Sequence, residues 1–562
     1  MLMGNISVRF FFTITLASFL ATAEVYADKP RVAIASAHPL ATEAGFEVIN
    51  KGGNAFDAAV AVSAALAVVE PAGSGLGGGG YWLLHRAKDH REIVIDGREK
   101  APLAAHKKMF LDNSGKVIPR LSLDGALAAA IPGFPAGLAH LSEQYGKLPL
   151  TESLKPAIRL ARFGFAISER HRRILSHRLE LLTKHQHTAN IFLDRNKTPK
   201  PFAILRQPDL AGTLTQLAES GRQGFYEGDV ADKLINTVRK AGGIWQLQDL
   251  INYRVIERTP VKGNYHGITI TSAPPSSSGG VVLLEALNVL TGFDLDKVAE
   301  VNRKHLIVEA LRRAYHDRAL YLGDPNFIHV PVSYLLSKAH ADFLRSSISP
   351  HKAMPSSSLF GNAPELKQGR QTTHFSIIDE EGNRVAATLS INMPFGAGMV
   401  AEGTGVLLND EMDDFVSSPD AINGYGLTGG SANAIAPGKR MLSSMTPTFV
   451  ETADRIGVLG TPGGSRIISM VLLGVLDFAQ GNSPDSWVKI PRYHHQYLPD
   501  VVEYETGALT AEEINQLNAI GHTLKPSRRA YGDMQAVQLN KTSRQLTAAS
   551  DPRGEGSAKI GY

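Results

Sequence analysis

The pattern of apolar and polar positions divides the chain into a mostly helical first part, a strand-rich middle and a helical end. Residues 39–50 and 54–70 are apolar on nearly every face, as buried helices are, and Asn54 is a favourable N-cap residue. Residues 151–250 are mostly helical, as are 302–321 and a segment from about Val281. Alternating, strand-like runs occupy 375–378, 385–391, 405–408, 447–451 and 456–459, and helical patterns return at 466–478 and 511–520. This order predicts sheets packed between helical layers.

Two threonines stand at a sharp change in this pattern. Residues 345–371, RSSISPHKAMPSSSLFGNAPELKQGRQ, are rich in Ser, Pro, Gly and Lys without a period, which predicts a long exposed segment. The first strand of the middle part follows at once, and Thr372 and Thr373 open it. A pair of hydroxyls therefore lies where an exposed segment meets a strand.

A glycine-rich run, GSGLGGGGYWLLH, follows the second helix. A dinucleotide-binding fingerprint needs its glycines after a strand and before a helix. Here they follow a helix and precede a strand at 81–85. The run is therefore interpreted as a tight loop that leads into a strand.

Composition narrows the possible functions. The 562 residues are 43% hydrophobic and 20% charged, which is typical of a globular protein with a sizeable core. The net charge is only +4 and no basic stripe carries interleaved aromatics, so a nucleic-acid partner is not expected. Cysteine is absent, which excludes disulfides, thiolate nucleophiles and cysteine-ligated metals. The adjacent His494 and His495 would point to opposite faces of a strand, so we interpret them as structural rather than metal ligands.

The first 27 residues have the pattern of a signal peptide. Arg9 precedes an apolar run over 10–21, and small residues follow at Ala21, Ala23 and Ala27. The apolar run is short for a membrane anchor, since a spanning helix needs about 20 residues. We therefore predict an exported protein, periplasmic or secreted, that is cleaved after Ala23 or Ala27 and keeps no membrane anchor.

The threonine pair has two interpretations. Thr-Thr at a strand start is what β-propensity alone produces. A threonine hydroxyl becomes a nucleophile, however, when the residue's own α-amine serves as the base. That amine has a pKa of about 7.7–8.0, so part of it is neutral at pH 7. For Thr372 this chemistry requires cleavage of the bond between Gln371 and Thr372.

Three further segments favour the nucleophile interpretation. NDEMDDF, residues 409–415, crowds carboxylates that can bind an ammonium group, and it fails the EF-hand pattern. KRMLSSMTPT offers the Ser443 and Ser444 hydroxyls to a carboxylate. GTPGGSRI places Gly463 and Gly464 before a helix, where backbone N–H groups can hold an oxyanion. Together these segments describe a site for an amino-acid-like acyl donor.

The sequence resembles the gamma-glutamyltranspeptidase (glutathione hydrolase) family of the N-terminal-nucleophile hydrolase class. The resemblance covers nearly the whole chain after residue 27. It rests on GGNAFDAAVA, GLGGGGY, IDGREKAP, IPGFPAGL, APPSSSGG, TTHFSIID, NDEMDDF, YGLTGGSANAIAPGKRMLSSMTPT, TPGGSRI, RYHHQYLPD and ASDPRGEGSAKIGY.

The resemblance implies an α+β fold, a four-layer αββα sandwich built by two subunits. A precursor would cut itself before Thr372 into a large subunit, 28–371, and a small subunit, 372–562, which remain together as a heterodimer. Thr372 would form a γ-glutamyl ester with glutathione or another γ-glutamyl compound. Water or an amino-acid or dipeptide acceptor would then resolve that ester. The resemblance implies no metal and no organic cofactor.

The resemblance also assigns site residues. Ser390 stands where the family commonly has the threonine that partners the nucleophile, and Thr373 is expected to be structural. Many bacterial members have glutamine where this chain has Glu411. The implied roles are catalysis for Thr372, Ser390, Gly463 and Gly464; α-amino binding for Asn392, Glu411 and Asp414; α-carboxylate binding for Arg98, Ser443 and Ser444; and a lid over the pocket for Tyr425.

Two alternatives stay open at this point. One is another enzyme on the same scaffold, such as a cephalosporin or glutaryl acylase or a poly-γ-glutamate depolymerase. The other is an exported binding protein that kept the pocket and lost catalysis, which predicts an uncut chain.

Overall fold

The structure is a computed structural model that describes residues 1, 32–359, 372–416, 427 and 430–561. Three predictions lie outside these residues: the signal peptide beyond Met1, the cleavage-site residue Gln371 and the lid residue Tyr425. Among the described residues, no helix is long and apolar enough to cross a membrane.

The strands alternate with helices along the whole chain rather than gathering in its middle. In chain order they are β1 (Val32–Ser36), β2 (Gly79–Arg86), β3 (Arg91–Gly97), β4 (Phe165–Ala166), β5 (Ile204–Leu205), β6 (Ile256–Arg258), β7 (Val261–Tyr265), β8 (Ile268–Ser272), β9 (Thr373–Asp379), β10 (Arg384–Ser390), β11 (Val400–Ala401), β12 (Val406–Leu407), β13 (Thr448–Glu451), β14 (Arg455–Gly460), β15 (Tyr493–His494), β16 (Val502–Tyr504), β17 (Leu524–Pro526), β18 (Gln535–Asn540), β19 (Leu546–Ser550) and β20 (Ser557–Gly561).

The helices fall into a group before β6 and a group after β8. They are α1 (Pro39–Ile49), α2 (Ala55–Val69), α3 (Phe134–Tyr145), α4 (Leu150–Phe163), α5 (Glu169–Thr183), α6 (Gln186–Phe192), α7 (Pro208–Ser220), α8 (Gln223–Tyr226), α9 (Gly228–Lys240), α10 (Leu247–Ile251), α11 (Gly279–Leu290), α12 (Glu300–Tyr321), α13 (Val332–Leu335), α14 (Lys338–Ser346), α15 (Ile467–Ala479), α16 (Pro484–Lys489) and α17 (Ala511–Ala519).

Two large sheets form the centre of the molecule. Within the described residues, the first has seven strands in the order β20-β1-β9-β10-β2-β3-β6, and the second has six in the order β19-β18-β14-β13-β8-β7. Neighbouring strands in both sheets run antiparallel. Strand β9 packs against β14 and β18, so the two sheets lie face to face.

Helices cover the two outer faces. On the first sheet, alternate side chains such as Phe375 and Ile377 pack in one buried cluster with α1, α2, α3 and α4. The opposite face, including Ile378 and Ala386, packs toward the second sheet. Helices α11 and α15 cover the far side of that sheet. The expected αββα order of layers is confirmed.

The ends of the chain meet in the first sheet. Strand β1 pairs with β20 on one side and with β9 on the other. The sequence analysis predicted neither β1 nor β20, each of which is five residues long. Their pairing places β9 in the interior of the sheet.

The described part of the segment 345–371, residues 345–359, is mostly exposed, as expected, but Ile348, Ala353 and Ser356 are buried. Ala353 is 5% exposed and Ser356 is fully buried. The Ser356 hydroxyl accepts a hydrogen bond from Arg312 at 2.5 Å, and its backbone N–H donates to Asp500 at 2.7 Å. Hydrogen bonds to Arg312 and Asp500, which are distant in the chain, fix the position of Ser356. The local pattern of Ser and Pro does not reveal these partners.

The N-cap of α2 provides a test of the local fold. The Asn54 side-chain oxygen accepts from the N–H groups of Phe56 and Asp57, and its amide donates to the Tyr145 carbonyl at 2.9 Å. We expect Asn54→Ala to lower the free energy of unfolding by about 1–2 kcal/mol, because these donors and acceptors lose their partners in a buried site. The thermal unfolding midpoint measures this loss.

Asn50→Ala is the matched control, since Asn50 is an exposed residue at the end of α1. That variant is expected to keep the midpoint of the parent protein. Equal midpoints for both variants would contradict the role given to the Asn54 cap.

Candidate active site

A single cavity brings together most of the residues that the sequence analysis selected. It is also lined by Leu427, Met445 and Ile467. Gly463 adjoins the lining residue Gly464. The selected residues that line it are Arg98, Thr372, Ser390, Asn392, Glu411, Asp414, Ser443, Ser444 and Gly464.

Strand pairing places Thr372 opposite Ser390. In the β9–β10 ladder Thr373 faces Leu389, and one further step along that register sets Thr372 against Ser390. Directly opposed residues in such a pair have Cβ atoms about 4.5–5.5 Å apart. Both residues are buried, at 4% and 2% exposure. The Ser390 hydroxyl oxygen accepts the Asn392 N–H at 2.8 Å.

The glycine run lets the backbone approach these strands closely. A Cβ on Gly78 would lie 2.0 Å from the Ser390 carbonyl oxygen, and one on Gly77 would lie 2.0 Å from the Leu407 carbonyl oxygen. Only glycine fits at such separations. The loop predicted from the sequence is therefore part of the wall behind the pocket.

Asn409 fastens the acidic segment to this wall. Its amide donates to the carbonyls of Gly77 and Ala130 at 2.6 and 2.7 Å, and its side-chain oxygen accepts the Glu411 N–H at 2.9 Å. The short helical turn that carries Glu411 and Asp414 is fixed as a result. The sequence analysis named the segment but did not assign this role to Asn409.

The Arg98 guanidinium is the centre of a buried charge cluster. It donates to Glu411 and to Asp414, each at 2.5 Å, and to Glu99 at 3.2 Å. One cation thus faces three carboxyl groups. The resemblance assigned Arg98 to the α-carboxylate and Glu411 and Asp414 to the α-ammonium, and the structure pairs these residues with each other in one cavity.

Burial sets the protonation of this cluster. It raises the pKa of Glu411 to about 7, although Arg98 opposes the shift. Burial and the nearby Glu411 also raise the pKa of Glu99 well above its usual range. The negative charge of the cluster therefore increases as the pH rises through 7.

Gly463 and Gly464 form the turn between β14 and α15. Their φ angles are 149° and 59°, in the region that favours glycine, and a Cβ on Gly463 would lie 2.5 Å from the Met470 methyl carbon. The turn is at the N-terminal, electropositive end of a 13-residue buried helix. Its position beside Thr372 in the cavity suits the stabilisation of negative charge.

A second arginine stands behind the serine pair, and the sequence analysis missed it. Arg318 donates to the Ser278 hydroxyl at 2.9 Å and to the Ser444 hydroxyl at 3.4 Å, and Ser278 in turn donates to the Ser443 carbonyl at 2.7 Å. Burial lowers the pKa of Arg318 to about 10, so it stays charged at neutral pH. A buried charged residue in the last turn of helix α12 was the available signal.

The two adjacent histidines have separate structural partners. His494 Nδ1 lies 2.9 Å from the Ser469 hydroxyl, and His495 Nε2 lies 3.1 Å from an Asp500 carboxylate oxygen. Burial lowers the pKa of His494 to about 3 and that of His495 to about 4. This geometry agrees with the structural interpretation.

Comparison with known proteins identifies the family. A family model described as Gamma-glutamyltranspeptidase matches residues 41–561. The chain belongs to this family. It is 39% identical over 534 residues to the glutathione hydrolase proenzyme of Escherichia coli (strain K12), covering 94% of this chain and 91% of that protein.

Solved structures of gamma-glutamyltranspeptidase relatives share the fold. The cephalosporin acylase from Bacillus halodurans superposes with a TM-score of 0.83 at 26% identity, covering 94% of this chain and 96% of that one. The gamma-glutamyltranspeptidase of Helicobacter pylori superposes with a TM-score of 0.56 at 43% identity, covering 57% of this chain and 93% of that one. The resemblance and the fold class expected from the sequence are both confirmed.

The raised pKa of Glu411 predicts a pH dependence of ligand binding. Ionised Glu411 attracts an ammonium group, and protonation below pH 7 removes that attraction. The inhibition constant of L-glutamate, an α-amino acid probe, should therefore rise about tenfold between pH 8 and pH 6. In Glu411→Gln the constant should be higher at pH 8 and nearly flat over this range. An unchanged slope in that variant would contradict the assignment.

The position of Arg318 predicts a loss of affinity without a loss of the nucleophile. Arg318→Met keeps the length of the side chain but removes its charge and the hydrogen bonds to Ser278 and Ser444. Because a hydrogen bond to a charged group contributes about 1.5–3 kcal/mol, the inhibition constant of L-glutamate should rise about tenfold or more. Arg318→Lys keeps the charge and should recover part of the affinity. Equal constants in all three proteins would rule out this role.

Proposed function

We propose that this protein is a self-processing gamma-glutamyltransferase and glutathione hydrolase with Thr372 as its N-terminal nucleophile. The observation that carries the proposal is the single cavity that joins Thr372 to a charged cluster and to a hydroxyl pair. Membership of the gamma-glutamyltranspeptidase family supports it.

The first step is cleavage of the chain before Thr372. The Thr372 hydroxyl attacks the carbonyl carbon of Gln371, the peptide C–N bond breaks, and an ester with a free Thr372 amine results. Water then hydrolyses the ester and releases residue 371 as a new C-terminus. The name of the Escherichia coli relative, a proenzyme, supports a precursor of this kind. The products are a large subunit, 28–371, and a small subunit, 372–562.

The catalytic cycle uses the amine that cleavage creates. The amine takes the hydroxyl proton as Thr372 attacks the γ-carbonyl carbon of the donor. The N–H groups of Gly463 and Gly464 stabilise the oxyanion, and Ser390 positions the nucleophile. Collapse breaks the γ-amide bond, and the leaving amine receives the proton. Water or the amine of an amino acid or dipeptide then attacks the γ-glutamyl ester.

The charged groups select the glutamyl end of the donor. Asn392, Glu411 and Asp414 bind the α-ammonium group. Once Glu411 is ionised, the carboxylates of Glu411 and Asp414 balance the positive charges of Arg98 and of the ammonium group. Arg98 turns from these carboxylates to the α-carboxylate when the ammonium group arrives, and Ser443 and Ser444 donate to the same carboxylate. We assign Tyr425 to the lid over the bound donor, as the family resemblance implies.

The setting of the reaction follows from the proposed export signal. Residues 1–27 direct the chain to the periplasm or the medium, where glutathione and other γ-glutamyl compounds are the donors. The two subunits remain associated as a heterodimer after cleavage.

The principal alternative is an acylase, because the Bacillus halodurans structure with the same fold is a cephalosporin acylase. The buried Arg98–Glu411–Asp414 cluster favours an amino-acid end group over a side chain that lacks the α-ammonium group. A binding protein without catalysis would retain this cluster but leave the chain uncut.

Intact-mass spectrometry of the purified protein tests the proposal. The parent protein should give two fragments, the smaller of which begins at Thr372. Thr372→Ala should stay uncut and inactive because it lacks the hydroxyl that attacks Gln371. Thr372→Ser should still cut, since it keeps that hydroxyl.

Thr373→Ala is the matched control next to the nucleophile. It should be cleaved at the same bond, because Thr373 takes no part in the attack. A single uncut chain in the folded parent protein would overturn the proposal. Cleavage of the chain with release of glutarate from a glutaryl amide, and without release of glutamate from glutathione, would support the acylase.

A further inference from the structure

A second buried cluster of ligand-type side chains lies between three helices away from the catalytic cavity. Glu285 on α11, Asp317 on α12 and His340 on α14 are 1%, 4% and 5% exposed. His340 Nε2 lies 2.6 Å from an Asp317 carboxylate oxygen and 3.8 Å from a Glu285 carboxylate oxygen. One ligand atom from each residue lies within 4.8 Å of the other two.

The charges of this cluster are not balanced by the protein. Within the described residues, the ion-pair partners of its two carboxylates are His316 and His340, and no lysine or arginine joins them. Neither Glu285 oxygen accepts a hydrogen bond from a described donor. Burial and the adjacent Asp317 raise the pKa of Glu285 well above its usual range. Two facing buried carboxyls need either a shared proton or a cation.

A similar group elsewhere shows what a balanced cluster looks like. His305, Glu309 and His522 also place ligand atoms within 4.8 Å of one another. His305 Nε2 donates to the Ser349 carbonyl and its Nδ1 accepts from His522 at 2.7 Å. Arg312 and Arg313 both pair with Glu309. Neighbouring guanidinium groups repel a metal cation, so that group is already complete.

We propose that Glu285, Asp317 and His340 bind a divalent transition-metal ion, with Zn²⁺ as the best-matched species. Imidazole nitrogen and carboxylate oxygen are both ligand types that Zn²⁺ accepts, and the imidazole favours a transition-metal ion over Mg²⁺ or Ca²⁺. Ligand atoms bound at about 2.1 Å in tetrahedral geometry lie about 3.4 Å apart, so the His340–Asp317 and His340–Glu285 separations of 2.6 and 3.8 Å need to change by less than about 1 Å.

Proton balance accompanies binding. The proton shared by Glu285 and Asp317 leaves to solvent, and His340 moves its proton from Nε2 to Nδ1 so that Nε2 can ligate. His316 stays in its place, with Nδ1 3.0 Å from the second Asp317 oxygen, and orients that carboxylate from outside the ligand set.

The ion would act on the structure and not on the chemistry. It would join α11, α12 and α14, and Asp317 is followed directly by Arg318, which reaches the serine pair of the catalytic cavity. Helix α11 begins immediately after Ser278, the other partner of Arg318. Fixing these helices to each other would hold the wall of the cavity that carries Ser443 and Ser444.

Zinc binding to the untagged, full-length protein tests the proposal. After removal of metals with a chelator, the protein is dialysed against Zn²⁺ with a weak competing chelator, and the metal content is measured by mass spectrometry. We expect about one equivalent per chain, and a higher thermal midpoint with Zn²⁺ than without. Glu285→Gln, which keeps the shape but removes a charged ligand, should bind at least tenfold more weakly.

His522→Gln is the matched control in the balanced cluster, and it should bind zinc as the parent does. Glu285→Gln is expected to fold, because the neutral amide replaces a buried carboxyl group. His340→Gln is a second variant, which lacks a different ligand. Absence of zinc from the parent, or equal zinc content in the parent and both ligand variants, would overturn the proposal and leave a shared proton as the link between the two carboxyls.

Discussion

The position of β9 inside a continuous sheet is the constraint on which the other features depend. Its backbone is hydrogen-bonded to β1 on one side and to β10 on the other. Strands before residue 371 and strands after it are therefore neighbours in the same sheet. Cutting the chain before Thr372 removes one covalent bond but none of these ladders. A strand can thus gain a free N-terminus while it keeps the register that places Thr372 opposite Ser390.

The charges beside the nucleophile then determine which ligands the pocket can bind. An isolated arginine with one carboxylate would be a closed ion pair, but Arg98 faces Glu411, Asp414 and Glu99 in a buried setting. Burial, together with the surplus of carboxyl groups, raises the pKa of Glu411 and Glu99 and makes the unliganded cluster costly when it is ionised. An incoming ammonium group relieves that cost. A ligand that carries both an ammonium and a carboxylate group can engage both signs of charge at once.

The sequence was sufficient to predict α2, β9 and β10 beside the site, because each has a clear periodicity or cap, as α2 has with Asn54, but it did not predict β1 or β3. The residues of the pocket were also found, through the resemblance and through residue types suited to the chemistry. Contacts between segments that are distant in the chain could not be predicted from the sequence. Nothing near Arg98 in the chain indicates that it meets Glu411, and nothing near Ser356 indicates that Arg312 buries it. These contacts depend on tertiary packing, which a local pattern does not encode.

Arg318 is an example of a tertiary contact that connects an outer helix to the catalytic cavity. Helix α12 is mostly buried and yet carries several charged residues, which is expensive unless each finds a partner. Arg318 finds its partners in Ser278 and Ser444, so the cost of burying it is offset at the wall of the catalytic cavity. The neighbouring Asp317 finds only histidines and another carboxyl group. One turn of a single helix therefore holds an arginine whose partners shape the pocket and, beside it, a carboxylate that shares its buried site with Glu285, whose oxygens accept no hydrogen bond from a described donor.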